Sequence, residues 1–122
     1  QQKEENKKEV AAKETAGAGT TKPPSSVKAS PIITSHGVYD GQVEVGSRVP
    51  GVFEQSGTCT LQLSKGGTTK TKSQRAVQNV SEMSCGYISI PVNQLSQGSW
   101  TAIIKYSSNK YNGQSTPVQI RI

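Results

Sequence analysis

The sequence has few of the residues that build large hydrophobic cores and active sites. Only 31% of its 122 residues are hydrophobic and 5% are aromatic, which is low for a globular chain of this length. It has one histidine, His36, and neither a Gly-x-Ser-x-Gly motif nor a paired-carboxylate spacing. No apolar run is as long as the about 18 residues that a membrane-spanning helix needs. These absences predict a small non-enzymatic domain without a transmembrane helix.

Candidate metal ligands are equally scarce. Asp40 and Glu44 could join a calcium site, but two carboxylates are a thin set for an ion that takes about six to eight oxygen ligands. We interpret His36 as a solvated loop residue. The sequence therefore predicts no catalytic residue, no metal site and no cofactor.

The net charge of +6 could suggest a nucleic-acid partner, but its distribution along the chain does not favour one. Residues 1–24 hold five lysines against four glutamates, and the remainder holds nine basic residues against four acidic ones. This surplus lacks the interleaved aromatic residues of a single-strand binder, so nucleic acid is not an expected partner. Solubility, or a loose preference for anionic surfaces such as cell-wall polymers, explains it as well.

The sequence has two cysteines, Cys59 and Cys85. Their number is even, and their spacing is not that of metal ligands. We predict that they form a disulfide, because a small core benefits from a cross-link and an oxidising compartment permits one. The alternative is a pair of buried free thiols in a cytosolic protein. Closing a loop of about 27 residues would stabilise the fold by roughly 3–4 kcal/mol in the chain-entropy model.

The composition divides the chain into a tail and a folded module. Residues 1–30 are predicted to be a flexible linker, first charged and then rich in Gly, Thr, Pro and Ser. Residues 31–122 are predicted to form one domain. The chain starts with Gln1 and not methionine, which suggests an excised or processed piece that a leader or membrane anchor could have preceded.

The pattern of the folded part predicts about seven short strands separated by turn signals. This arrangement is typical of an antiparallel β-sandwich. The clearest strand alternates so that one face carries its large residues: Trp100, Ala102, Ile104 and Tyr106. Gly66-Gly67 predicts a hairpin turn. Cys85 has the opposite parity to Ile88 and Ile90, so a β-bulge near Gly86 is needed to bury the disulfide.

Two surfaces are candidates for binding. The 107–113 loop combines aromatic and basic groups with Asn and Ser, and its candidate residues are Tyr106, Lys110 and Tyr111. The alternative is that Tyr111 only packs over the end of the sandwich. The strand at 69–75 has no large apolar residue, so its Lys70, Lys72 and Arg75 form either a protected sheet edge or a basic binding stripe.

Residues 95–106 resemble the E–F connection and F strand of immunoglobulin-like and fibronectin type III-like domains, with Leu95, Gly98 and Trp100 in the positions of the family's Leu, Gly and aromatic corner residue. The usual corner residue is tyrosine, and Ala102 stands where antibody domains have cysteine. The resemblance covers roughly residues 31–122. It implies that the Cys59–Cys85 bridge joins a C-like to an E-like strand, as in a bacterial Ig-like module of a surface or secreted protein.

The resulting hypothesis is a non-enzymatic, extracellular or cell-surface Ig-like module that acts as a spacer, adhesion or protein-interaction domain of a bacterial envelope protein. The alternative is a carbohydrate- or cell-wall-binding accessory domain of a larger secreted enzyme. Two or more tyrosines on one exposed face would favour this alternative. We expect a monomer whose partner is a protein or a cell-surface glycan, with membrane contact only through an anchor outside this chain.

Overall fold

The computed structural model describes residues 27–122, and these residues form strands with one short 3-10 turn, as the alternating pattern predicts. The strands and the turn (η1) are β1 (Val27–Lys28), β2 (Ile32–Tyr39), β3 (Gln42–Val49), β4 (Thr58–Lys65), β5 (Thr68–Arg75), β6 (Val77–Asn79), β7 (Glu82–Pro91), η1 (Val92–Gln94), β8 (Ser99–Ser107), β9 (Tyr111–Gln114) and β10 (Val118–Arg121). Residues 27–122 contain ten strands and not about seven, because very short strands such as β1 and β6 have too few residues to show alternation.

The strands form two sheets that pack as a sandwich. One sheet has four strands in the order β2-β3-β7-β6. The other has six, in the order β1-β9-β8-β4-β5, with β10 also paired to β8. Strands β9 and β10 lie on the same side of β8, each along one half of it. This is the A-B-E-D and C′-C-F-G order of an Ig-like sandwich, so the predicted fold class is confirmed.

The core lies between the sheets and is built from alternate residues of the long strands. The predicted inward face of β8 is buried along its whole length: Trp100, Ala102, Ile104 and Tyr106. It faces the four-stranded sheet, whose β3 buries Val43, Val45 and Val49. Successive strand residues point to opposite faces, so each strand contributes only every second residue to this core.

The chain enters β8 through a tryptophan corner. The indole N–H of Trp100 donates a hydrogen bond to the carbonyl oxygen of Ser96, at 2.8 Å. In immunoglobulin-like sandwiches a tyrosine hydroxyl bonds back to the backbone in the same way. Leu95 closes this end of the core with only 9% of its surface exposed. The indole therefore performs the packing and hydrogen-bonding role of the usual tyrosine.

The disulfide connects the two sheets, from Cys59 on β4 to Cys85 on β7, with 5.7 Å between their Cα atoms. In strand order these are the C-like and E-like strands, as the resemblance implies. Ser47 of β3 pairs with Gly86 and the next residue pairs with Ser84, so Cys85 is the extra residue of a bulge. Gly86 adopts a positive φ of 62° there. The predicted bulge is confirmed, and it turns Cys85 into the core.

The folded region begins earlier than the predicted boundary at residues 30/31. Val27 and Lys28 pair in parallel with β9, and Ala29 is buried. Gly113 permits this contact, because a Cβ at that position would lie 1.8 Å from the Ala29 carbonyl oxygen. The remaining linker prediction concerns residues 1–26, which lie outside the described residues.

Candidate functional site

The predicted binding loop does not present Tyr106. This residue is 1% exposed in the core, and its hydroxyl donates a hydrogen bond to the Glu54 carboxylate. Burial, together with the hydrogen bond and the charge of Glu54, raises the pKa of the Tyr106 phenol well above its ordinary value. Assigning Tyr106 to the binding loop was wrong, because its position in the alternation of β8 points it inward.

The predicted loop is shorter than 107–113, because β8 includes Ser107 and β9 begins at Tyr111. The other two candidate residues, Lys110 and Tyr111, contact each other. The Lys110 ammonium lies 5.7 Å from the centre of the Tyr111 ring, within the range of a cation–π contact. Tyr111 is half-buried and packs against the core. This agrees with the alternative that Tyr111 only packs over the end of the sandwich. The hydroxyl of Ser108 accepts hydrogen bonds from the backbone N–H groups of both residues. The loop is therefore organised by its own contacts and offers no exposed aromatic face.

The predicted basic edge divides between two faces of β5. This strand is an edge strand, and all three basic residues are exposed. Lys70 and Lys72 pair with buried residues of β4 and so point towards the facing sheet, whereas Arg75 points outward. The three residues therefore do not form one stripe. Lysines that point inward at an edge discourage pairing with another strand.

Two exposed tyrosines lie on the outer face of the four-stranded sheet. Tyr39 is 53% exposed at the end of β2, and Tyr87 is 65% exposed on β7. A Cβ added to Gly37 would lie 2.9 Å from the Tyr39 hydroxyl oxygen and 3.0 Å from its ring carbons. One added to Gly46 would lie 2.8 Å from the Tyr87 ring. Each ring therefore rests on the backbone of a glycine.

The two glycines are neighbours, so the two rings form one surface. Gly37 pairs with Glu44, and Gly46 is two residues further along β3. Such diagonal positions lie about 7–8 Å apart. We call this surface the tyrosine face and define it by Tyr39 and Tyr87.

Polar groups surround the two rings. Glu44 occupies the row of Gly37, and Ser89 of β7 lies opposite Glu44 in the same row. Ser35 pairs with Gly46 and lies beside the Tyr87 ring. Flat aromatic rings beside hydroxyl and carboxylate groups can stack on the apolar face of a ligand ring and hydrogen-bond to its hydroxyl groups. A sugar ring has both features.

The sequence contains only part of the signal for this face. Gly37-Val38-Tyr39 places a ring and a glycine on the same side of one strand, and this spacing can be recognised. The contact between Gly46 and Tyr87 joins residues 41 positions apart and depends on the register of β3 with β7. Only the folded structure brings the two rings together.

Residues 27–122 hold one histidine and four acidic side chains besides the two disulfide-bonded cysteines. No group of three His, Cys, Asp or Glu side chains in this region could hold a metal ion. Asp40 lies in the turn between β2 and β3, and His36 is exposed on β2. In the same region there is no helix with the length and hydropathy of a membrane span.

Comparison of the chain with protein-family models, with curated proteins and with solved structures gave no significant match.

Proposed function

We propose that residues 27–122 form a non-enzymatic carbohydrate-binding module of an exported protein, with the tyrosine face as its binding site. The observation that carries this proposal is the pair of exposed rings, Tyr39 and Tyr87, on neighbouring glycines of one sheet face. The glycines hold the rings close to the sheet, so a flat ligand meets little steric obstruction.

The binding mode follows from the chemistry of the face. The electron-rich face of a tyrosine ring attracts the C–H groups of a sugar ring, and both surfaces lose contact with water on stacking. Glu44 and Ser89 supply a carboxylate and a hydroxyl group for the sugar hydroxyls. A short oligosaccharide is long enough to contact both rings.

The disulfide supports an exported protein. Its two cysteines are buried and paired, which is compatible with an oxidising compartment. We propose an extracellular or cell-surface location, in a bacterial surface or secreted protein of the kind that the sequence resemblance implies.

Alanine substitutions of the two tyrosines test the binding site. We expect Tyr39→Ala and Tyr87→Ala each to weaken glycan binding about tenfold, because each removes one stacking contact, and the double variant to abolish it. Binding is measured first on an array of neutral glycans and then by calorimetry with the best ligand. Tyr39→Phe and Tyr87→Phe keep the rings and should retain most of the affinity.

Tyr111→Ala is the matched control, since it removes a tyrosine that lies outside the tyrosine face. It should leave glycan affinity unchanged. Circular dichroism establishes that all variants are folded. A double alanine variant that binds as well as the unmodified chain, or an array without any ligand, would contradict the proposal.

A spacer role is a second candidate, favoured by the path of the chain. Strand β1 pairs with β9 near the Ser107 end of β8, whereas Ile122 hydrogen-bonds with Gly98 beyond the other end. The nine residues of β8 span about 30 Å between these ends. A module held at residues 27 and 122 would therefore separate its attachment points by roughly its own length.

Single-molecule stretching between residues 27 and 122 tests the spacer role. We expect a distinct force peak, because β1 and β10 pair along their length with neighbouring strands that must be sheared apart. Unfolding should increase the contour length of the chain by about 90 Å less with the disulfide intact than after reduction, since the bond closes a separation of 26 residues. Extension without a resolvable force peak would exclude a load-bearing spacer.

A further inference from the structure

Seven of the nine basic residues in the described region lie on one sheet, the exceptions being Arg48 on β3 and Lys110 in the turn before β9. No strand of the six-stranded sheet contains an aspartate or a glutamate, and its strands carry seven basic residues: Lys28, Lys65, Lys70, Lys72, Arg75, Lys105 and Arg121. The four acidic residues of the described region lie on the other sheet, in its turns or in the loop before β4: Asp40, Glu44, Glu54 and Glu82. Basic residues that are dispersed along the sequence are thus brought together on one sheet by strand pairing.

The outer face of this sheet presents part of that charge in one row. The strand registers align five residues side by side across five strands: Arg75, Thr58, Ser107, Asn112 and Lys28. Lys105 lies in the adjacent row, opposite Thr60. Since neighbouring strands are about 4.8 Å apart, Arg75 and Lys28 are separated by about 19 Å. We call this surface the basic row and define it by Arg75, Lys105 and Lys28.

Two surface depressions lie along the basic row. A cleft of about 450 Å³ lies at the Arg75 end, where hydroxyl groups and one amide accompany the guanidinium: Ser56, Thr58, Ser73, Ser107, Ser108 and Asn109. A second depression of about 290 Å³ lies over β8 and β9 and includes Lys105, Asn112 and Gln114. Neither is lined by a carboxylate. Both offer charged and neutral hydrogen-bond donors, which is the chemistry that recognises sulfate or carboxylate groups.

The outward positions of this sheet carry no aromatic ring among the described residues. Trp100 and Tyr106 of β8 point into the core, and Tyr111 of β9 packs against it. Proteins that bind single-stranded nucleic acid stack bases on exposed aromatic rings. A polyanion without bases to stack therefore fits this face better than nucleic acid does.

We propose that the basic row is a binding site for a linear anionic polysaccharide, which lies across the strands with its acidic groups against Arg75, Lys105 and Lys28. The site lies on the opposite side of the sandwich from the tyrosine face and does not depend on it. The two faces select different chemistry: stacking and hydroxyl contacts on one, and spaced negative charges on the other.

The test uses polymers that differ only in charge or in the kind of anion. Dextran sulfate and dextran share a backbone, and polygalacturonate replaces sulfate with carboxylate. We expect the unmodified chain to bind dextran sulfate, polygalacturonate or both, with an affinity that falls as salt is added. The comparison of the two identifies the anion. Uncharged dextran should show no binding that depends on the basic row.

Charge-matched variants decide whether the row itself is the site. The triple variant Arg75→Gln/Lys105→Gln/Lys28→Gln should weaken binding by about tenfold or more, because it removes the three cations that define the basic row. The control Lys65→Gln/Lys70→Gln/Lys72→Gln removes the same charge from positions that point towards the facing sheet, and it should lose only about twofold to threefold. The Tyr39→Ala/Tyr87→Ala variant should bind the anionic polymer like the unmodified chain, which separates this proposal from the tyrosine face.

Three results would overturn the proposal. An equal loss in the two triple variants would show that binding follows net charge and not the row. Tighter binding of a single-stranded oligonucleotide than of dextran sulfate at equal ionic strength, lost in the row variant, would assign the face to nucleic acid. No binding of either anionic polymer at low salt would exclude the site.

Discussion

Replacing Trp100 with alanine is expected to lower the free energy of unfolding by about 3–5 kcal/mol, the largest loss from any single substitution considered for this protein. Trp100 is the largest of the fully buried side chains in residues 27–122, and only 1% of it is exposed. Its removal leaves a cavity at the end of β8 and leaves the Ser96 carbonyl without its indole donor.

Urea unfolding followed by far-UV circular dichroism measures this loss, because the variant has no tryptophan fluorescence. Trp100→Phe is the control: it keeps an aromatic ring but removes the N–H donor, and it should lose less than the alanine variant. If Trp100→Ala does not fold, the phenylalanine variant still reports on the corner. A loss below about 1 kcal/mol for Trp100→Ala would show that Trp100 does not organise the core.

Removing the disulfide is expected to have the next largest effect. The Cys59→Ala/Cys85→Ala variant should lose about 3–4 kcal/mol, because its unfolded chain regains the freedom of a loop that the bond closes over a separation of 26 residues. Alanine is preferable to serine here, since both cysteine side chains are buried and a hydroxyl would lack a partner. Denaturant unfolding of the two proteins without reductant gives the difference.

A reductant provides the control for the disulfide prediction. It should destabilise the unmodified chain towards the stability of the double variant and should not change the double variant. Mass spectrometry of the unreduced protein should find both thiols oxidised. Two free thiols there, or equal stability of the two proteins, would remove both the cross-link and the argument for export that depends on it.

Much of the fold could be predicted, because the relevant signals are local. Alternation along residues 100–106 identified the buried face of β8, and the odd parity of Cys85 against Ile88 indicated the bulge at Gly86. The short strands β1, β6 and β9 were missed since two to four residues show little periodicity. Their positions depend on distant partners, such as Tyr111 and Asn112 for β1.

The candidate sites were predicted less well, and part of that error was avoidable. Residues 70 and 72 differ from residue 75 in parity, so one strand cannot present all three on one face. Tyr106 likewise shares the parity of Trp100. The useful groupings were not visible, however, because they join residues of several strands.

By itself, the sequence determined the elements: a β-rich chain with a tryptophan corner, a glycine hairpin, an edge strand and a pair of cysteines suited to a disulfide. Each depends on residues close together in the chain, where side-chain alternation and turn geometry act. The tertiary structure alone decided which residues share a surface. The tyrosine face requires the register of β2, β3 and β7, and the basic row requires that of five strands in the other sheet. Register has this power because a shift of one residue turns every side chain of a strand to the opposite face.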